Sequence, residues 1–512
     1  MLSAKLYPWP RTRFNLRSAV ASALVSLGLS PELVAQPTTT PTSRPHVVMI
    51  AIDDLNDWAG PLGGHPQGGT ATPHLNELAR TSVTFTNAHC AAPSCNPSRS
   101  SLMTGLRPST TGIYFNGKAQ HMETLLPKNR NTLPKHFKRH GYHTVGVGKL
   151  FHTAQAHQPE DWDVFHRGQG EPKPPGAPLG TAAHNNFDYG VYEPGRTLDQ
   201  TMDGQTASAG LRSLLEYQGD TPLFLGVGIY RPHLPWYAFA ADYDRFPLTG
   251  IRLPLTPPDG PLSDLDDIPP FGRVMAVTLS NTGVQRPGDH LRGITGYDHQ
   301  RITAEDEWRA AVRAYLASIA FADRMAGSVL QALRERDEHG EYVNAVNWGN
   351  TIVVVWSDHG WHLGEKTAWR KFTLWEDVTR VPMWWHVPGV TEPGTSCNAP
   401  VSLIDVFPTL IEVAALPEVQ STGIEGAQRL EGRSLHPLLA DVNTPWPHVA
   451  ITENGPGHTA VRGARYRYIR YADGSEELYD HELDPHEWRN RADDPTYATH
   501  RERLARQIPT LK

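Results

Sequence analysis

Apolar and polar positions alternate along the chain in two rhythms, one of short buried strands and one of amphipathic helices. Residues 46–52 read HVVMIAI, a β-branched run that stops abruptly at Asp53 and Asp54. A run of that length without polar alternation predicts a parallel strand covered on both faces. The pattern recurs at 144–147, which leads into Lys149 and His152, at 222–230 (PLFLGVGIY), which leads into His233, and at 351–356 (TIVVVW), which leads into Asp358 and His359. Between these runs the spacing predicts helices. One spans 72–80, with Thr72 as N-cap and Pro73 in the first turn. Others span 132–140 (closed by Gly141), 204–217, 304–338 with an apolar stripe at Val312, Tyr315, Leu316, Ile319 and Ala320, and 403–416. Strand–helix alternation of this kind implies an α/β domain with a mostly parallel sheet.

After residue 440 the rhythm changes. Short alternating strands at 448–452, 460–462, 465–471 and 477–479 are broken by Gly, Pro and Asp, and a helix follows at 497–507. The expected organisation is a large domain over 46–440 and a small antiparallel α+β subdomain over 441–512 packed on it. The Gly- and Pro-rich stretches 168–196 and 252–300 predict long loops around a site entrance.

Composition alters this picture in three places. Residues 1–35 combine Lys5, Arg11, Arg13 and Arg17 with the apolar run SAVASALVSLGLS and a cleavage position at Ala35. That is the layout of an export signal, followed by a flexible segment over 36–45. It predicts a periplasmic or secreted protein, and the apolar run is too short to span a membrane. The chain holds 47 basic and 54 acidic residues; without residues 1–35, with four basic residues and one acidic, the net charge is −10. That balance disfavours nucleic acid and anionic membranes as partners, so an anionic substrate needs a local cationic pocket. Three cysteines are too few for a disulfide framework and leave at least one unpaired. Cys95 has a candidate use, and Cys90 and Cys397 are expected in packed surroundings.

Ligands of open α/β sheets bind beyond the carboxyl ends of the strands. Taken singly, an acidic pair after a strand is a cap or turn and a lone His is structural. Four polar strand ends on one edge point to a site. The segment Cys95 to Gly105 (CNPSRSSLMTG), continuing as LRPSTTG to Gly112, resembles the modification motif of type I, formylglycine-dependent sulfatases. GVGKLFH at 146–152, YRPHLP at 230–235, SDHGW at 357–361, LGE at 363–365, Trp369 and Lys371 resemble the iduronate-2-sulfatase-like branch, and ELYD at 477–480, Asp484-Pro485 and Glu487 its C-terminal region. The resemblance covers nearly all of the chain after the leader.

The resemblance implies an alkaline phosphatase-like fold. It implies that a formylglycine-generating enzyme converts Cys95 to formylglycine (3-oxoalanine) during export. One calcium ion is then held by Asp53, Asp54, Asp358 and His359 with residue 95, the nitrogen of His359 being the least typical calcium donor. Arg99, one helical turn after Cys95, steadies residue 95 and the metal carboxylates. Lys149 and His152 bond the sulfate or the formylglycine hydrate, and His152 serves as base. His233 and Lys371 contact the ester oxygen, and either can protonate the departing alcohol; an imidazole titrates nearer neutrality. The implied substrate is a sulfated carbohydrate, containing uronic acid or drawn from algal polysaccharide. The alternatives are a phosphodiesterase or phosphonate monoester hydrolase of the same fold, a choline-sulfatase-like enzyme and a non-catalytic binder of sulfated glycans. Lys366 and Arg370, four residues apart, read as a solvated basic face, and His184, Asn185 and Asn186 as plain surface polarity, with lining of the entrance as the alternative.

Overall fold

The computed structural model describes residues 44–153, 159–167, 170, 173–181, 187–277, 297–427 and 429–509. The proposed leader and the residues 184–186 lie outside them. Ser43–Lys512 forms one compact unit, and no described helix is long and apolar enough to cross a membrane.

Four of the strands expected from the sequence lie side by side. Thr351–Ser357, His46–Ile52, Leu223–Ile229 and His143–Gly148 run parallel, in that order, at the centre of a nine-stranded sheet. Their register is level: Ile52 stands beside Ile229 and Ser357, so the polar residues after each strand emerge at one edge. Side chains of a strand alternate between faces. Val48, Ile50 and Ile52 enter one core with Tyr315 and Ile319 of the helix Trp308–Arg334. Val47, Met49 and Ala51 enter the other with Leu102, Phe137 and Phe407 from helices on the opposite face.

The sheet is mixed rather than wholly parallel. Arg380–His386 (RVPMWWH) runs antiparallel to both its neighbours, Val83–His89 and Thr351–Ser357. Pro382 inside that run disguises it in sequence, and the register shifts between Val381 and Met383, where a residue lacking an N–H is tolerated. Beyond the main sheet, four strands from Ala450–Glu453 to Glu476–Asp480 form an antiparallel sheet. It rests on the loop before Cys95, where Glu453 N–H donates to the Ala91 carbonyl at 2.9 Å and Thr452 Oγ1 to the Cys90 carbonyl at 2.6 Å.

Three local expectations are corrected. The long helix expected over 304–338 is shorter, Trp308–Arg334, and is preceded by a separate helix, Tyr297–Ala304, with Asp306 between them at a left-handed φ of 54°. Thr72 occupies the N-cap of Pro73–Arg80, but its hydroxyl donates to the Gly68 carbonyl instead of capping. The cap comes from Asp323 on the long helix, whose carboxylate accepts the N–H groups of His74 and Leu75 at 3.0 and 2.9 Å. Pro270–Val277, in a stretch read as loop, is helical.

Candidate active site

The level strand ends set the site. Asp53 and Asp54 follow the central strand, Lys149 and His152 the strand His143–Gly148, His233 the strand Leu223–Ile229, and Asp358 and His359 the strand Thr351–Ser357. Asp54 takes a left-handed φ of 62°, tolerable for an aspartate. The turn is held by Tyr315, whose hydroxyl donates to the Asp54 carbonyl at 2.7 Å and accepts the Asn56 N–H at 3.0 Å. Sequence reading had Tyr315 only as part of an apolar stripe. A ring on the core face of a helix carries no local sign that its hydroxyl reaches a turn 261 residues away.

Cys95 opens the helix Cys95–Thr104, every residue of which is buried. The positive end of the helix dipole therefore lies at the sulfur. Arg99 faces the same side, as the one-turn spacing predicted: Nε donates to Asp358 Oδ2 at 2.8 Å and Nη2 to Asp53 Oδ1 at 3.0 Å, with all three side chains buried. Its Nη1 also donates to the Lys149 carbonyl.

Lys371 approaches from another loop. Arg370 and Phe372 on either side of it take left-handed φ values of 72° and 78°. Each such conformation costs a non-glycine residue about 1–2 kcal/mol, and here local anchors hold them: Arg370 Nε donates to Asp298 at 2.6 Å, and Phe372 N–H to the Pro93 carbonyl at 3.2 Å. Lys371 Nζ donates to Asp54 Oδ1 at 2.7 Å and lies 3.0 Å from Cys95 Sγ. Lys149 Nζ pairs with Asp53 Oδ2 and stands 4.0 Å from the sulfur.

These charges separate Cys95 from the other two cysteines. Burial alone would push its thiol up, but Lys149, Lys371, His359 and a hydrogen bond from His152 hold it well below the usual thiol range. Burial raises Cys90 and Cys397 instead, as befits packed, inert thiols. Burial also holds His152 below the ordinary imidazole value, despite its bond to Cys95.

The two remaining histidines are oriented by backbone carbonyls. His359 Nδ1 lies 3.0 Å from the Gly360 carbonyl, and His233 Nδ1 2.6 Å from that of Leu234. A carbonyl only accepts, so both Nδ1 atoms carry the proton and both Nε2 atoms face the site. His359 Nε2 lies 3.4 Å from Cys95 Sγ, and His233 Nε2 3.9 Å from Asp54 Oδ2.

The donors suit a divalent cation. Asp53, Cys95, Asp358 and His359 bring ligand atoms within 4.8 Å of one another, as do Asp53, Asp54, Cys95 and His233. Asp54 Oδ2 is buried with no hydrogen-bond partner among the described residues. Without an ion the charges are ill matched: burial lifts Asp358 to about 7, Arg99 opposing and Asp53 reinforcing, and His359 rises to about 9 because, although burial pulls it down, Asp358, Cys95 and Asp54 together outweigh burial and Lys371. A cation at these oxygens would favour the deprotonated forms.

The basic face expected from Lys366 and Arg370 is absent. Both are buried, Lys366 against Asp264 at 2.6 Å and Arg370 against Asp298, so they anchor the Lys371 loop.

A family model described as Sulfatase matches residues 45–416, and one described as N-sulphoglucosamine sulphohydrolase, C-terminal, matches residues 364–512. A protein named Sulfatase from Formosa agariphila is 34% identical over 485 residues, covering 91% of this chain and 86% of its own. Iduronate 2-sulfatase of Homo sapiens is 28% identical over 452 residues, covering 85% of this chain and 74% of its own. Among solved structures, phosphonate monoester hydrolase of Agrobacterium radiobacter superposes with a TM-score of 0.68 at 21% identity, over 91% of this chain and 94% of that one. That likeness shows a shared fold, the alkaline phosphatase-like arrangement of a mostly parallel sheet between helices. With a family match over most of its length and a relative of 34% identity across 91% of it, the chain belongs to the sulfatase family.

Proposed function

We propose that the protein is an exported hydrolase that removes sulfate from a sulfated carbohydrate containing uronic acid or derived from algae. In this reading Cys95 is converted to formylglycine, and calcium is held by Asp53, Asp54, Asp358 and His359 together with residue 95. The observation that carries it is Cys95 itself: a buried thiol at a helix N-terminus, with Lys149, Lys371 and His359 nitrogens 4.0, 3.0 and 3.4 Å from its sulfur. An anion is at home there, and a sulfate ester is an anion. The modified residue would supply a hydrated aldehyde with a nucleophilic hydroxyl, and a calcium ion held by these residues would supply Lewis-acid polarisation.

The chain's own residues do the rest. Lys149 and Lys371 place two ammonium groups within 4.0 and 3.0 Å of the Cys95 sulfur, where they neutralise the sulfate group. Arg99 is fully engaged with Asp53 and Asp358 and the backbone after Lys149, so it pins the metal carboxylates and leaves substrate contact to the lysines. His152, held below the ordinary imidazole value by burial, is the residue that would take a proton from residue 95. His233 has its Nδ1 proton tied to Leu234 and turns Nε2 to the site; with a second proton there it is an acid for the departing alcohol.

The test uses natively exported protein. Peptide mass spectrometry should find formylglycine at residue 95, and sulfate release should be measured on defined sulfated oligosaccharides, choline sulfate, and matched aryl sulfate and phosphonate esters. Turnover of phosphonates with none of any sulfate ester would make it a phosphonate monoester hydrolase. Active enzyme carrying only unmodified Cys95 would remove the proposed nucleophile.

A further inference from the structure

The turn after the central strand is held from outside itself. The N–H groups of Asp53, Asp54, Leu55 and Asn56 donate to the Ile229 carbonyl at 3.1 Å, Asp358 Oδ1 at 3.1 Å, Ser357 Oγ at 3.0 Å and the Tyr315 hydroxyl at 3.0 Å. All four partners belong to other elements, distant along the chain. The peptide between Asp54 and Leu55 is gripped at both ends: Tyr315 donates to its carbonyl at 2.7 Å, and Ser357 Oγ accepts its N–H. The Ser357 proton goes on to the His359 carbonyl at 2.9 Å, so that grip reaches the loop carrying Asp358 and His359.

This clamp has a consequence for the carboxylate. Asp54 stands at a φ of 62°, and a backbone in that region persists only where its surroundings over-determine it. The conformation sets where the side chain points. Oδ1 meets Lys371 Nζ at 2.7 Å, and Oδ2 is buried without a hydrogen-bond partner among the described residues. Tyr315 is itself fixed: it is fully buried, with its ring edge-on to Trp58 and Trp236 at centroid distances of 5.5 and 5.3 Å. Its hydroxyl donates to one side of Leu55 and accepts from the other, which a phenylalanine ring of the same shape cannot do.

We propose that Tyr315 is a positioning residue that sets the affinity of the carboxylate cluster for its cation. By pinning the Asp54–Leu55 peptide it keeps Asp54 in the left-handed conformation that offers Oδ2 to an ion. Without the hydroxyl, the Asp54 carbonyl and the Asn56 N–H both lose their partner, and only Ser357 holds the peptide. The carboxylate must then be ordered as the ion binds, and binding weakens. Residues that orient a ligating side chain act on affinity in this way. The inference rests on the calcium reading of Asp53, Asp54, Asp358 and His359.

The experiment measures how calcium partitions between natively exported protein and a chelator of known affinity, for the parent, Tyr315→Phe and Tyr142→Phe. Tyr142 is the control: it is buried, and its hydroxyl donates to the Pro45 carbonyl at 2.9 Å, at the opposite end of the central strand. Tyr315→Phe should raise the calcium Kd about tenfold or more, and Tyr142→Phe should leave it within about twofold. The rise in melting temperature on adding calcium should shrink in Tyr315→Phe alone. An unchanged Kd in Tyr315→Phe, whatever its melting temperature, overturns the proposal, and so does equal weakening in both variants. If Tyr315→Phe does not fold, a crystal structure of the parent with calcium decides. Asp54 should ligate the ion at a positive φ with the Tyr315 hydroxyl on its carbonyl, and a turn released from Tyr315 overturns the role. A parent that binds no calcium sinks the calcium reading and this inference with it, whereas a calcium-binding parent with an unaltered Tyr315→Phe sinks this inference alone.

Discussion

Arg99 shows how one side chain can hold two carboxylates from different strands together. Its guanidinium spans Asp53 and Asp358, two carboxylates contributed by different strands, and all three groups are buried. Removing one partner from a buried ionic cluster costs about 3–5 kcal/mol, because the remaining charges stay buried and unmatched. Arg99→Met should therefore lower the stability measured by denaturant unfolding by that amount as well as abolish turnover; a loss of activity at unchanged stability would contradict the pinning role. The acid is a separate question, since His233 and Lys371 both face the site. Demand for an acid rises with the basicity of the departing alkoxide. His233→Ala should cost far more on a sulfated sugar than on a nitrophenyl sulfate, whereas Lys371→Ala should cost both alike, its ammonium lying 3.0 Å from the sulfur. The opposite pattern would exchange the two roles.

At the scale of elements, the strand Arg380–His386 joins the parallel half of the sheet to the edge, and its last residue carries a pH dependence. The His386 ring stacks on Trp348 with centroids 4.0 Å apart and Nε2 faces the Trp348 carbonyl at 2.9 Å. Burial lowers its pKa from 6.5 to about 4, the hydrogen bond opposing. Between those values the unfolded chain binds the proton and the folded one does not, so stability rises with pH across the window. The contribution is full above about pH 6.5 and is lost as pH falls toward 4, by at most about 1.4 kcal/mol per unit. Asp323 and Asp405, pushed up by burial to about 7 and about 6, act with the opposite sign in overlapping windows. The quantity to read is therefore the difference between His386→Gln and parent: the gap in melting temperature should narrow steadily from pH 6.5 to 4, and a constant gap would remove His386 from the acid response. The same element shows why some structure escapes sequence reading. Pro382 marks it as a non-strand, yet tertiary packing places that residue at a register shift where no ladder hydrogen bond is required.

For the whole molecule, the site is a junction of distant segments. Residues 53–54, 95–99, 149–152, 233, 358–359 and 371 come from separate connections, and the second sheet buttresses the loop before Cys95. An ion at Asp53, Asp54 and Asp358 would tie several of them together and bind only the folded chain, which stabilises it by linkage. Exhaustive chelation should lower both the melting temperature and sulfate release, and added calcium should restore both. If neither changes, the carboxylate cluster is no required metal site.

Much of this was legible without coordinates. Uninterrupted β-branched runs identified four parallel strands, because a strand buried on both faces admits no polar position. Polar residues after each run emerge at one edge of the sheet, and the C-x-P-S-R segment with its flanking matches identified the family. The one-turn spacing placed Arg99 on the face of Cys95, because helix geometry is local. What the tertiary structure decided depends on which surfaces meet. Lys366 and Arg370 have the spacing of a solvated face, yet the fold brings Asp264 and Asp298 against them, and buried pairing replaces hydration. Tyr315 and Asp323 read as helix residues, but packing turns one hydroxyl onto the Asp54 turn and one carboxylate onto another helix's N-terminus. His121 and Thr153, 32 residues apart in the chain, converge on the Glu123 carboxylate, and such convergence is a property of the fold and not of any local stretch.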